Sequence, residues 1–263
     1  MGEITFNSKP LILAIDTATR AGSVALARGA ELLHLQTGDR ESSHSVDLIE
    51  NVEVALNTIG AKLGEVELFA AASGPGSFTG LRIGIATIKS FAMSVGKKCV
   101  GVPTLGAIAQ AAGTAVRTVA LLPAGRGEVF AQMFSVDADQ VRPLDTAAHI
   151  SPEAVVEKYG SSEDLIWAGE GAHLNATTLC DRATAIGLGW YVRNSQSLLR
   201  SKGWTLAPRR DELAGSIAVL AFAEYCAGRT TSPGELRAIY VRPSDAEINE
   251  QWQSEKSQLS APR

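Results

Sequence analysis

Apolar and polar positions along this chain follow two periods, and the changes between them mark its elements. Leu11–Ile15 is a short, wholly apolar run ending at Asp16, which predicts a buried strand. Thr17–Gly22 reads as a turn, Ser23–Ala27 as a second strand, and Gly29–Ala30 as a tight turn into Glu31–Thr37. In His44–Ile59 the residues Leu48, Ile49, Val52, Ala55, Leu56 and Ile59 form one stripe on the helical period, and Gly60 supplies a stop. Leu68–Ala72 is again short and apolar, the glycine-rich Gly74–Gly80 follows, and a second helix is predicted over Leu81–Val95. Cys99–Val102 closes the unit as a strand, giving the order β-β-β-α-β-α-β.

The remaining chain repeats that order. Thr118–Leu122, Glu128–Ser135 and Gln140–Asp145 read as strands. Ser151-Pro152-Glu153 opens a helix with proline at its first position, and Asp164–Ala168 is a strand running into a second glycine loop, Gly169–Ala172. A structural duplication follows: a first half over 1–105, a second over 106–243, and a polar tail over 244–263. Between Asp181 and Arg210 the pattern breaks down. A helix is clear over Asp211–Cys226, with Asp211 as candidate N-cap; as the helix of 211–227 it could pack back on the first half. Gly234–Arg242 reads as a final extended segment.

The 263 residues are 45% apolar and 20% charged, enough for a core and against wholesale disorder. The net charge of −4 argues against a protein that grips nucleic acid over its whole surface. Only Lys97-Lys98 and Arg209-Arg210 place two cations side by side, so the chain alone is expected to hold RNA weakly. Three distant cysteines without a CxxC fit buried thiols in a reducing compartment. No targeting signal stands at the start and no stretch is apolar enough for a bilayer, so a cytoplasmic protein is expected.

Candidate chemistry is sparse. Asp16-Thr17 ends the first strand, where a carboxylate could hold a metal-bound water, yet an aspartate there serves equally as a turn former. Gly74, Gly76 and Ser77, with Gly169 and Gly171 in the second half, sit where glycine loops cradle phosphates. Neither loop carries the P-loop lysine, and glycines are equally demanded by tight turns and close packing. His44 lacks a second ligand one turn on, because position 48 is leucine; no metal site is expected. The helix over Leu81–Val95 carries Leu81, Ile85, Ile88, Ala92 and Val95 on one side. Ile83, Ala86, Thr87, Ser90, Met93 and Ser94 stand opposite, small or apolar throughout. Such a helix is expected to be covered twice, by its own second half or by a partner.

Ile12–Thr17, Ser23–Leu26, His44-Ser45, the run GPGSFTGLRIG at Gly74–Gly84, Gly101-Val102, Arg126–Val129 and Tyr240–Arg242 together resemble the TsaB (YeaZ) family of tRNA threonylcarbamoyladenosine synthesis. The resemblance runs from about residue 11 to 242. It implies an α/β fold of the actin/Hsp70/sugar-kinase class with two ribonuclease-H-like halves. It also implies a glycoprotease-like, non-catalytic subunit that dimerises with a TsaD-like catalytic chain, or with its own copy when alone. A TsaE-like ATPase and tRNA would be reached through the complex, and no cofactor is implied beyond Mg-ATP at an intersubunit face. The contact surface would comprise Leu48 and Val52 of the first helix with Ile83, Ala86, Thr87, Ser90 and Met93 of the second. Two departures bear on chemistry: Pro123 stands where the family often has aspartate, and Ala238 where proline commonly precedes the final Tyr-x-Arg. An actin-like ATPase or small-molecule kinase using Asp16 is the rival reading, and a metallopeptidase a more distant one.

Overall fold

The computed structural model describes residues 9–38, 44–137, 140–193 and 202–241, with the backbone alone for 44–46. The tail 244–263 and Arg242 lie outside the described residues, as do the side chains of His44 and Ser45.

The first sheet contains β1 (Leu11–Asp16), β2 (Ser23–Arg28), β3 (Glu31–Thr37), β4 (Leu68–Gly74) and β5 (Lys98–Pro103), ordered β3-β2-β1-β4-β5. β1 is antiparallel to β2 and parallel to β4. Both faces of β1 and β4 are covered, which is why they read as unbroken apolar runs. One face carries α1 (His44–Thr58) and α2 (Phe78–Ser94) over a core that includes Leu13, Ile15, Phe69, Ile85 and Ile88.

The second sheet repeats the plan. It is built from β6 (Ala115–Gly125), β7 (Glu128–Val136), β8 (Val141–Pro143), β9 (Ala148–Ile150), β10 (Asp164–Ala168), β11 (Trp190–Val192) and β12 (Gly203–Leu206). Its order is β11-β12-β10-β6-β7-β8, with β9 paired to β7, so β8-β7-β6-β10-β12 matches β3-β2-β1-β4-β5. Its outer face carries α4 (Pro152–Tyr159), α5 (Glu170–Leu174) and α6 (Ala176–Ala185), and its core holds Trp167 edge-on to Trp204 at 5.0 Å.

The halves are joined by two helices. α3 (Thr104–Ala112), which follows β5, lies against β6, β7 and β8 of the second sheet. α7 (Ala214–Cys226), which follows β12, lies against β1, β2, β4 and β5 of the first. The two touch, and a central core runs from Ile12 and Val102 through Leu105, Ile108, Ile217 and Ala221 to Leu122 and Phe130.

Several sequence expectations are corrected. α3 was not predicted, because seven of its residues, including Thr104 and Gly106, are buried and it has no polar side to reveal a period. The segment Asp181–Arg210, without a readable pattern, contains the end of α6 and both β11 and β12. The strand expected over Gln140–Asp145 shortens to Val141–Pro143, because Asp145 turns inward: its carboxylate accepts from Met133 N (2.8 Å) and from the Tyr159 hydroxyl (2.8 Å). The described part of Gly234–Arg242 forms no strand, although Cys99 and Thr231 just before it exchange backbone hydrogen bonds at 2.9 Å. Asp211 is not the N-cap of α7; it accepts from Arg209 at 3.0 Å, and Leu213 precedes the helix.

The cap of α7 comes from the other half. Ser23 on β2 accepts from the Ala214 amide at 2.9 Å in a buried contact. An N-cap hydroxyl contributes about 1 kcal/mol, up to about 2 where the amide would otherwise be buried unpaired. Ser23→Ala is therefore expected to lower stability by about 1–2 kcal/mol without altering association. Urea unfolding followed by circular dichroism checks the first and light scattering the second.

Candidate functional site

The β1–β2 turn and the N-terminus of α2 meet at Asp16, Thr17 and the first glycine loop. Asp16 is fully buried, and its Oδ1 accepts from the amides of Ala18 (2.8 Å) and Thr19 (3.4 Å). Its Oδ2 takes a short hydrogen bond from the Thr19 hydroxyl. The Thr17 hydroxyl donates to the Gly80 carbonyl at 2.7 Å. The carboxylate is thus bound to its own turn. Asp16→Ala would leave buried amides without an acceptor and is expected to cost about 2 kcal/mol or more, read as a shift in the urea midpoint.

The glycines of the loop are explained by close approach. A Cβ on Gly76 would stand 2.7 Å from the Cβ and the carbonyl oxygen of Ala18. Cβ atoms on Gly80 and Gly84 would collide with the Thr17 carbonyl and hydroxyl, and one on Gly74 with the Ile239 carbonyl. Three amides at the start of α2 have acceptors: Ser77 N donates to Ala18 O (2.9 Å), Gly80 N to the Ser77 hydroxyl (3.2 Å) and Leu81 N to Ser77 O (2.8 Å). With Ser77 as cap, α2 begins at Phe78, one turn before the predicted Leu81. In the second half, Gly169–Ala172 is no loop. Gly169 caps α5, and Gly169 and Gly171 lie against the backbone of Leu121 too closely for any side chain.

Between the halves lies an open cleft. Thr19 and Arg20 line one side, Gly169 and Glu170 the other, with Ile108, Ala112 and Leu122 as an apolar floor. Arg209 at its rim donates to Glu170 (2.7 Å) and Asp211 (3.0 Å). The carboxylates nearest the cleft are therefore engaged by protein groups. The sequence does not single out Arg20, and it marks Arg209 only as one of the adjacent pair Arg209-Arg210, since no spacing links either to the cleft. Among the described residues no three His, Cys, Asp or Glu side chains gather in a manner that could hold a metal ion. Burial pushes the Cys99 thiol up to about 11 against the pull of Lys89 and Lys98, so Cys99 is no nucleophile at neutral pH.

The outer face of the first half is of another kind. Leu81, Ile85, Ile88 and Ala92 point into the sheet, while Ala86, Ser90, Met93 and Ser94 face outward and no described residue covers them. Met93 is 67% exposed, and Ile49 and Val54 of the adjacent α1 are 53% and 43% exposed. Leu48 and Val52, expected in the contact surface, are buried in this chain's own core, because they and not Ile49 form the inward stripe of α1. Ile83 and Thr87 are half-buried, Ile83 against that core. The outward hydroxyls are satisfied within the helix: Ser90 donates to Ala86 O and Ser94 to Phe91 O, each at 2.8 Å.

Comparison with known proteins decides the family. A sequence model described as "TsaD: tRNA N6-adenosine threonylcarbamoyltransferase" matches residues 39–229. The tRNA threonylcarbamoyladenosine biosynthesis protein TsaB of Escherichia coli is 31% identical over 88% of this chain and 94% of its own length. That of Haemophilus influenzae is 28% identical over 88% of this chain and 93% of its own. The chain belongs to the TsaB (YeaZ) family. The solved structure of YeaZ from Pseudomonas aeruginosa, at 25% identity, superposes with a TM-score of 0.67 over 88% of this chain and 99% of that one. The TsaB fold here is thus the actin/Hsp70-like α/β architecture that the sequence resemblance implied. No helix among the described residues is long and apolar enough to cross a membrane.

Proposed function

We propose that this chain is the non-catalytic scaffold and activator subunit of a complex that adds a threonylcarbamoyl group to N6 of the adenosine beside the anticodon of tRNAs. It docks the outward face of α1 and α2 against a TsaD-like catalytic subunit, and against a second copy of itself when that subunit is absent. A TsaE-like ATPase joins through the complex.

The uncovered α1–α2 face carries this reading. Ala86, Ser90 and Ser94 allow another helix to approach closely, Ile49, Val54 and Met93 offer apolar contact area, and the serine hydroxyls already bond to their own helix. Burying Ala86 and Met93 with the helix-bonded Ser90 and Ser94 costs little desolvation of polar groups. The engagement of Asp16 by its own turn and of Glu170 by Arg209 supports the absence of independent chemistry.

Reconstitution tests the proposal. A TsaD-like subunit with its accessory proteins is incubated with unmodified tRNA, with and without this chain, and the nucleosides are analysed by mass spectrometry. Modification is expected only when this chain is present and co-elutes with the catalytic subunit. Modification at the same rate without it would sink the proposal. Tight Mg-ATP binding and turnover by the isolated chain would instead favour the actin-like ATPase.

A further inference from the structure

The segment after α7 runs as a strap beside the free edge of β5 and returns to the start of α2. Thr231 pairs with Cys99, Leu236 is buried near Gly101, and the Ile239 amide donates to the Ser73 carbonyl at 2.7 Å. Tyr240 then packs at a 42° tilt against Phe78, the first residue of α2, with ring centroids 5.3 Å apart. Both rings are open to solvent, Phe78 at 39% and Tyr240 at 48% exposure, and the Arg82 guanidinium lies 3.8 Å from the centre of the Phe78 ring.

Further cations lie on the elements that carry this stack, with Lys98 at the far end of β5. Arg82 and Lys89 lie two helical turns apart, about 10 Å along one flank of α2. Lys98 opens β5, whose Cys99 pairs with Thr231 of the strap, and Arg237 lies on the strap next to the buried Leu236. Arg82, Lys89 and Lys98 form no ion pair among the described residues, and Arg237 donates to the backbone carbonyls of Gly234 and Leu236. Arg82 and Lys89 thus flank two exposed rings without an ion pair among the described residues, while Lys98 and Arg237 lie near the Glu235 carboxylate.

We propose that this flank, comprising Phe78, Arg82, Lys89, Lys98, Arg237 and Tyr240, is an RNA contact surface that takes tRNA phosphates on its cations and stacks a base or ribose on its aromatic pair. The proposal rests on the reading that the chain serves a tRNA-modifying complex. Cations supply sequence-independent attachment, and exposed rings flanked by arginine form a platform for any base. Four cations are too few for tight binding alone, so the surface adds to the grip of the assembled complex and leaves the isolated chain weak.

The test is fluorescence anisotropy of a labelled tRNA over a potassium chloride series, with the chain alone and with its TsaD-like subunit. The double variant Arg82→Glu/Lys89→Glu is expected to weaken binding about tenfold or more and to lower the salt slope by about 2. Tyr240→Ala should weaken binding about tenfold with little change of slope. Arg142→Glu, on the exposed β8 of the second half, should change neither. Circular dichroism establishes folding, and co-elution reports the docking of the catalytic subunit. A folded double variant that co-elutes and binds tRNA as the unaltered chain does would overturn the proposal. So would loss of co-elution with unaltered tRNA binding by the chain alone, which would assign the flank to a protein partner. If even the unaltered chain fails to co-elute, the scaffold reading falls by itself. The double variant titrated alone at low salt then still decides the RNA surface: weaker binding supports it and equal binding overturns it.

Discussion

Gly80→Ala is expected to destabilise this protein by about 3 kcal/mol or more, a large part of the 5–15 kcal/mol that holds a typical domain folded. The added methyl group would collide with the Thr17 carbonyl, which is backbone and cannot swing aside. The same carbonyl belongs to the turn bound by Asp16 and by the Ser77 amide, so displacing it disturbs those hydrogen bonds together. Thermal unfolding followed by circular dichroism should show a midpoint lowered by roughly 10 °C. Gly96→Ala makes the comparison, since nothing lies within 4 Å there and the backbone at φ +66° is the whole cost. That cost is about 1 kcal/mol. Equal losses at both positions would show that the glycine loop is not held by close packing of α2 on the β1–β2 turn. A Gly80→Ala chain as stable as the unaltered one would show the same.

What could be read from the sequence, and what could not, follows from where each element faces. The bounds of β1, β3 and β10 are legible because a turn or a glycine follows each: Thr17–Gly22 after β1, Gly38 after β3 and Gly169 after β10. α1 and α2 were found because each has one buried side and one open side. α3 is not legible for the opposite reason: lodged between two sheets and α7, it shows no polar stripe. It is α3, and not α2, that its own chain covers on nearly every side. The glycine loops showed where the backbone must come close but not against what, since that requires Thr17, Ala18 and Leu121 in position. The Phe78–Tyr240 stack joins residues far apart in the chain, and no local pattern contains it.

Ala86→Arg is expected to leave the monomer folded and to weaken both self-association and docking of the catalytic subunit by at least about a hundredfold. Ala86 points away from its own core, so the new side chain meets solvent in the monomer and costs little stability. In an assembled seam the same guanidinium would be desolvated against the Ser90 and Ser94 hydroxyls, which already bond to their own helix. It would also hold apart two helices that small residues allow to come close. A two-fold pairing meets the substitution twice, so the homodimer should be lost at lower concentration than the heterodimer. Ser90→Arg, one turn on, should act in the same way, while Ala185→Arg on the exposed side of α6 should not. Light scattering across a concentration series reads the dimer, co-elution reads the heterodimer, and circular dichroism confirms that the chain is folded. A folded Ala86→Arg chain that still forms both assemblies would move the association surface off α2, and the apolar contact offered by Ile49, Val54 and Met93 would then need another occupant.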